Sequence, residues 1–463
     1  MDEKRFTNIA IGVILSLVGL IAALSLIGMN IPPHIREVRV NGGQENAEIA
    51  NQSLQILFSQ PMKQSPINVT ITPEIEHTVL WQNNTLFIYF PQLLQNNTEY
   101  TLNIESEIVN IYGKLMDEEK KFSFRTKEAR VTFWQYPNKI VSSNLEGKDV
   151  KILYEGSGIL NYIRYDSTLV VLKTPKDGRT DIVLVDTVTG KSTTKTISFA
   201  VYSLSYSKAV RKLLLLAQDV GSNGATPQFP QNIRRMYFFD PDSSALEPII
   251  QSGAEQEIET FTSSEDGRMI LFRDIVDGLY YLVDVRNPNA PPILIGNYIV
   301  ANTFDNKGEN ILLTKEDDQS VQGYLFTEQY SVTGQKKRIS PQGKHSIEGT
   351  FIHQTKYIAY SEKFNAPSSV LDLFRVVIID SNSGKELFAL AEKAVSYETP
   401  KSSRNGQYLI VEKFTENTLE TSQSERIIGF RQKGTSAELY LVQINTLEAK
   451  KLPIIGINAI WEE

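Results

Sequence analysis

Apart from one stretch near the N-terminus, the apolar residues of this chain come in short runs and never at sustained helical spacing. Runs such as LQILFS, TLFIYF, MILF, VVIID and YLIV are rich in β-branched and aromatic residues, and Gly, Asn, Asp or Pro bound them. That punctuation predicts strands joined by tight turns. The exception is 9–29, IAIGVILSLVGLIAALSLIGM, inside a span from 6 to 33 with no charged residue. As a helix rising 1.5 Å per residue it is about 32 Å long, close to a bilayer core. It exceeds the apolar region of a cleaved signal peptide and has no small-x-small cleavage site. The expectation is an uncleaved single-pass anchor over 9–30. Lys4 and Arg5 favour a cytoplasmic 1–8, Arg36 and Arg39 weaken that preference, and Pro32 and Pro33 end the helix.

The β-patterned remainder divides near 127–130. The first part, 35–127, offers EVRV, LQILFS, NVTIT, TLFIYF, YTLNIE and KFSFRT as the strands of a sandwich. The second, 131–463, repeats. EDGRMILF, NKGENILL and RNGQYLIV superpose on Gly267, Gly308 and Gly406, each glycine two residues before an apolar strand. A second turn follows in IVLVDTVTGKSTTK, VVIIDSNSGKELFAL and YSVTGQKKRI, with Gly190, Gly384 and Gly334 at the reversal, where a positive φ costs glycine nothing. Each unit reads as four strands, a to d, with first strands beginning near Ile159, Phe199, Ile258, Tyr298, Ile347 and Ala394. The period of about 40 to 60 residues is that of a propeller with insertions. Two fragments remain. The terminal INAIWEE (457–463) has the pattern of strand a alone, and 131–154 has that of b, c and d. Together they predict a seventh blade that joins the chain ends and closes the ring.

Composition narrows the class. The net charge of −7 and pI near 5.5 argue against a nucleic-acid binder, which needs a basic face to neutralise phosphates. The absence of cysteine excludes disulfides, thiolate metal sites and a thiol nucleophile. Sequons at Asn51, Asn68, Asn83 and Asn96 are read as chance in an Asn- and Thr-rich β domain.

In the first part, Phe58, Ser59, Pro61 and Met62, then Tyr100, Thr101, Leu102 and Ile104, then Gly113, Leu115, Phe122, Phe124 and Thr126 resemble the bacterial Ig-like domain of the SbsA type. Val109–Asn110 stands where that family often has an Asp. The resemblance implies an envelope or surface-layer spacer without catalytic residues. In the repeats, Ser264, Asp266 and Gly267, Asp186, Thr189, Gly190 and Lys191, and Asp380, Ser383, Gly384 and Lys385 resemble the TolB-like group of WD-related propellers. Glu265 replaces the usual Pro, and the blades starting near Ile159, Phe199 and Ile347 lack the first glycine. This resemblance implies a propeller and, commonly, protein or peptide binding.

Little points to chemistry. There is no G-x-S-x-G elbow, and the four histidines, His34, His77, His345 and His353, form no H-x-H or H-E-x-x-H pair. DPDSSALE (240–247) reads as a polar c–d hairpin, with too few oxygens for a calcium loop. KEDDQ (315–319) reads as a solvated b–c loop, and SSEDGRMI lacks the Thr and Trp of an Asp box. No catalytic residue, metal or cofactor is assigned. In this fold the a–b and c–d turns share one face and the b–c and d–a loops the other. Long b–c loops at 218–234, 361–371 and 414–436 carry Phe229, Arg234, Phe364, Ile427, Phe430 and Arg431, types that interfaces concentrate. These six are the candidate partner-binding residues.

The sequence thus predicts an all-β chain, an Ig-like β-sandwich plus a seven-bladed β-propeller, behind one N-terminal transmembrane helix. The expected function is non-enzymatic binding or scaffolding outside the cytoplasm, on a bacterial envelope, with a protein or peptide of that envelope as partner and no nucleic acid. A glycan hydrolase or lyase working in the propeller funnel, and a structural surface-layer or adhesion component, remain as alternatives.

Overall fold

The computed structural model describes residues 11–21, 30–40, 46–47, 53–64, 67–104, 108–116, 120–219, 233–249, 257–318, 320, 323–364, 373–415 and 437–462. Residues 11–21 are helical, with Ile14, Leu15 and Ile21 about three-fifths exposed. Most of the rest of the expected anchor lies outside the described residues. Among the described residues no helix is long and apolar enough to cross a membrane. The chain forms two compact units, 1–128 and 129–463.

The first unit contains two four-stranded sheets. One orders Ile35–Val40, Ser53–Phe58, Thr85–Tyr89 and Thr78–Gln82; the other orders Asn46–Ala47, Lys120–Thr126, Glu99–Ile104 and Val69–Thr72. Leu54, Ile56 and Phe58 alternate with half-buried neighbours, and Tyr100, Leu102 and Ile104 do the same in the other sheet. These alternate positions meet in one core with Met62 and Phe124. Two strands escape the sequence reading. Asn46–Ala47 is only two residues long. Thr78–Gln82 exposes Leu80 and only half buries Val79 and Trp81, which blurs its alternation. Asn110 explains the departure from the expected aspartate: it is fully buried, and its carboxamide oxygen accepts the Tyr112 and Lys114 N–H groups at 3.0 and 2.8 Å. An amide oxygen does here what a carboxylate would do, and Gly113 takes φ +79° in the turn it holds.

The second unit contains seven four-stranded sheets. Six are built from consecutive strands and begin at Ile159, Phe199, Ile258, Val300, Ser346 and Val395; they are blades 1 to 6. In blade 7 the terminal strand Ile457–Trp461 pairs with Arg130–Gln135, followed by Lys139–Asn144 and Lys151–Glu155. The two leftover fragments therefore form one sheet.

Seven apolar cores, each shared by adjacent blades, close the ring. Leu213 and Leu215 pack toward blade 1, whereas Leu214 and Leu216, on the opposite face of the same strand, pack toward blade 3. Likewise Ile270 and Phe272 face blade 2, and Leu271 faces blade 4. Burial on both faces is why the middle strands read as unbroken apolar runs. Val131 and Phe133 meet Ile410 and Leu441 of blade 6, and Trp134 and Ile140 meet Tyr162 and Val171 of blade 1. The closure is also polar: Glu462 accepts from Thr132 Oγ1 at 2.6 Å and pairs with Arg164 at 2.6 Å.

The a–b turns interlock. In blade 3 the Ser264 hydroxyl donates to Asp266 and accepts the Met269 N–H, while Gly267 turns at φ +64°. A Cβ on Gly267 would stand 2.3 Å from Ser207 Cα of blade 2, and one on Gly406 would stand 1.8 Å from the His353 carbonyl oxygen of blade 5. Close approach, as much as dihedral freedom, requires glycine at these two places. In the blades without it, Asp166, Arg211 and Gln354 take the left-handed conformation, at φ +46°, +55° and +56°.

Candidate functional site

On the b–c face the structure describes two of the six candidate residues. Arg234 opens the third strand of blade 2 (Arg234–Phe239), and its guanidinium lies 4.8 Å from the Tyr202 ring centroid. Tyr202 occupies a bulge in the innermost strand Phe199–Ser207, between Val201 and Ser203, and its hydroxyl donates to Gln218 Oε1 at 2.6 Å. The bulge turns an extra side chain out of the ladder and toward Arg234. Phe364 follows Tyr357–Lys363 in blade 5 and is 36% exposed; its N–H donates to the Leu373 carbonyl. Phe229, Ile427, Phe430 and Arg431 lie outside the described residues. Arg234 and Phe364 belong to different blades, so the structure brings them to one face but not into contact.

Other side chains on this face share that character. Tyr136, Ile275, Val276, Ile299 and Ile455 sit in or beside b–c and d–a connections, and all are exposed, Val276 at 76%. In or beside the a–b and c–d turns the exposed large aliphatic side chains among the described residues are Val150, Ile152, Val188 and Ile293, and none of them is aromatic. Short turns contributed Ile275 and Val276, whereas the sequence reading looked for the interface only in long loops.

The opposite mouth of the ring holds a cavity of about 400 Å³ that the sequence reading did not anticipate. Ends of innermost strands and a–b turns from blades 1, 2, 3, 6 and 7 line it, including Arg164, Tyr165, Tyr206, Ser263, Lys401, Arg404 and Trp461. Tyr165 and Tyr206 stack at 3.7 Å between centroids. Burial, then the neighbouring Tyr206, pushes the Tyr165 hydroxyl up to about 12. The Ser205 and Ser263 hydroxyls are 2.8 Å apart, and Trp461 Nε1 donates to the Lys401 carbonyl at 3.0 Å. Arg404 pairs with Glu265 of blade 3. Residues of SSEDGRMI thus line a cavity while also making a turn.

His345 and His353 occupy opposite ends of the strand Ser346–Ile352 and so cannot share an ion. His345 accepts the Leu325 N–H, and burial pushes the His353 imidazole down. Asp240 caps its own hairpin by accepting the Asp242 N–H. The 315–319 loop differs from its expected solvated state: Asp317 is 6% exposed and pairs with Arg338 at 2.8 Å, because the last strand of the blade brings a cation alongside. Among the described residues no three His, Cys, Asp or Glu side chains are placed to hold a metal ion.

With both units in view, the chain can be set beside known proteins. Residues 29–126 match the bacterial Ig-like domain family. No curated protein matches the chain. Among solved structures, a putative TolB from Agrobacterium tumefaciens is 11% identical, with a TM-score of 0.40, over 59% of this chain and 88% of that one. The β-propeller domain of the Trilobed protease from Pyrococcus furiosus is 11% identical, with a TM-score of 0.44, over 78% and 96%. A putative 6-phosphogluconolactonase from Bacteroides uniformis is 11% identical, with a TM-score of 0.46, over 72% and 99%. At such identities none of the three bears on activity.

Proposed function

We propose that the chain is a single-pass, membrane-anchored binding or scaffold protein on the outer side of a bacterial cell membrane. In this reading 1–8 is cytoplasmic, the Ig-like unit is an SbsA-type spacer, and the propeller holds a protein or peptide through its b–c face. The observation that carries it is the gathering of exposed Tyr136, Tyr202, Ile275, Val276 and Phe364 on that face, with Arg234 against Tyr202. Aromatic and Arg side chains dominate binding energy where they become desolvated. The anchor rests on the uncharged 9–29 segment, whose 11–21 portion is helical and exposes its apolar side chains.

The test is co-purification of envelope components with the full chain and with Arg234→Ala/Val276→Ser. Loss of a specific protein from the double variant, at unchanged folding, supports the proposal. Turnover of envelope glycans with no captured protein replaces it with the enzymatic reading. Identical, protein-free results for both chains favour the structural one.

A further inference from the structure

The Ig-like unit has an entry end and an exit end. At the entry end Ile35–Val40 begins, Ser53–Phe58 and Glu99–Ile104 finish, and Lys120–Thr126 begins; the chain leaves by Thr126 at the other end. A short hairpin connects Glu99–Ile104 to Lys120–Thr126. The bridge Val109↔Leu115 closes it, and the bridge Met62↔Asn110 ties it to the segment after Ser53–Phe58. Every residue of its tip, 111–115, is exposed. Turn corners are ordinarily small or polar, yet this one shows Ile111 at 56%, Tyr112 at 46% and Leu115 at 58%. Outside the helix, the exposed large hydrophobics of this unit among the described residues are these three, Ile31, Leu80 and Tyr89, and four of the six lie at the entry end. Such a cluster marks a contact surface.

The tip is fastened to the residues that follow the uncharged 9–29 segment. Gln60 Nε2 donates to the Ile31 carbonyl at 2.9 Å, and Asn110 Nδ2 donates to Gln60 Oε1. Asn110 in turn accepts the Tyr112 and Lys114 N–H groups. The Ser59 N–H donates to the His34 carbonyl at 2.9 Å, and Ser59 Oγ accepts the His34 N–H at 3.1 Å. Pro32 and Pro33 stiffen the stretch between these two attachments. Ile31 is two residues past Met29, at most about 7 Å of chain. The headgroup layer reaches about 5 to 8 Å beyond the hydrocarbon core on each side. The hydrogen-bonded series Ile31, Gln60, Asn110 therefore holds the tip beside the place where 9–29 ends.

We propose that the 111–115 tip is a lipid-contacting wedge, with Ile111, Tyr112 and Leu115 entering the interface of the bilayer that holds 9–29. The inference rests on the membrane-anchor reading and adds a second contact to it. Tyrosine suits that layer, because its ring is apolar and its hydroxyl polar. Lys114 can keep its ammonium group among the headgroups while its stem lies against apolar neighbours. Asp117, Glu118 and Glu119 follow in the sequence, so charge gives no reason to require an anionic lipid. Apolar burial is the driving force, and a neutral bilayer is sufficient.

The chain has no cysteine, so single introduced cysteines can carry a fluorophore in the full chain, reconstituted into phosphatidylcholine vesicles. The positions are Lys114→Cys in the tip, Gln92→Cys at the exit end and Ser16→Cys in the helix. The quencher is phosphatidylcholine with a nitroxide near the top of its acyl chain. It quenches the Ser16 label, and it quenches the Lys114 label about threefold more than the Gln92 label. Adding Ile111→Ser/Tyr112→Ser/Leu115→Ser to Lys114→Cys lowers the quenching to the Gln92 level at an unchanged melting temperature. Quenching at Ser16 with no excess at Lys114 over Gln92 overturns the wedge and leaves the anchor standing. No quenching at Ser16 overturns the anchor, and the wedge with it. A Lys114 label that is shielded from aqueous iodide yet unquenched by lipid means that a protein covers the tip, which also overturns the wedge. Undiminished quenching in the triple serine variant does the same.

Discussion

The two faces of the ring are built on opposite terms. On the a–b side, turns of adjacent blades touch backbone to backbone, as Gly267 touches Ser207 and Gly406 touches His353. Each turn is a wall for the next, so its length and glycine position are tied to its neighbours. On the b–c side, connections run from the tight turn at Ile275 and Val276 to the long segments near Arg234 and Phe364, and apolar side chains stay exposed. Connections that vary so much in length are free to be shaped for a partner. A face whose turns interlock can offer only what lies between them, which here is a small cavity lined by both polar and aromatic side chains.

The sharpest break of this comparison is Gly406→Ala. A Cβ there meets a carbonyl oxygen at 1.8 Å and a φ of +65°, and it should destabilise the propeller by about 3 to 5 kcal/mol in denaturant unfolding. Gly190→Ala is the control. It has the same kind of φ, +73°, with nothing within 4 Å, and should cost about 1 kcal/mol. Equal losses would remove the interlocking argument. Next, Glu462→Gln should lower stability by about 2 to 3 kcal/mol, because it strips the charge from a buried carboxylate shared by Thr132, Arg164 and Arg130. On the open face, Arg234→Ala should weaken partner binding about tenfold without moving the melting temperature.

The smallest effect concerns Lys401, which faces Glu412 and Glu348. Its folded pKa lies below the unfolded value, so the unfolded chain binds more protons between the two. Stability from this residue is therefore lowest below the folded pKa and rises with pH up to the unfolded value of about 10.4. Lys401→Met should remove that rise and leave the rest of the pH–stability profile intact.

The sequence made the b–c face more visible than the other. Turn glycines and apolar runs set the register, and the register assigns faces by topology alone. The closing blade was legible because its two fragments were complementary. The cavity was not, because its walls come from Arg164 in blade 1 through Trp461 in blade 7, and no local pattern links them. The bulge at Thr399 was hidden for another reason: ETPKSS breaks the strand pattern only at Pro400, and the positive φ at Thr399 has no residue-type signature. Asp166, Arg211 and Gln354, which do the work of glycine in three turns, were missed likewise.

The central claim is that the b–c face holds the partner, and site-specific photo-crosslinking in cells tests it directly. A photoreactive residue is placed at Phe364 in one strain and at Val188, an exposed c–d turn position on the opposite face, in another. A discrete protein adduct from position 364 and none from 188 is the predicted result. An adduct from 188 with none from 364 contradicts the account.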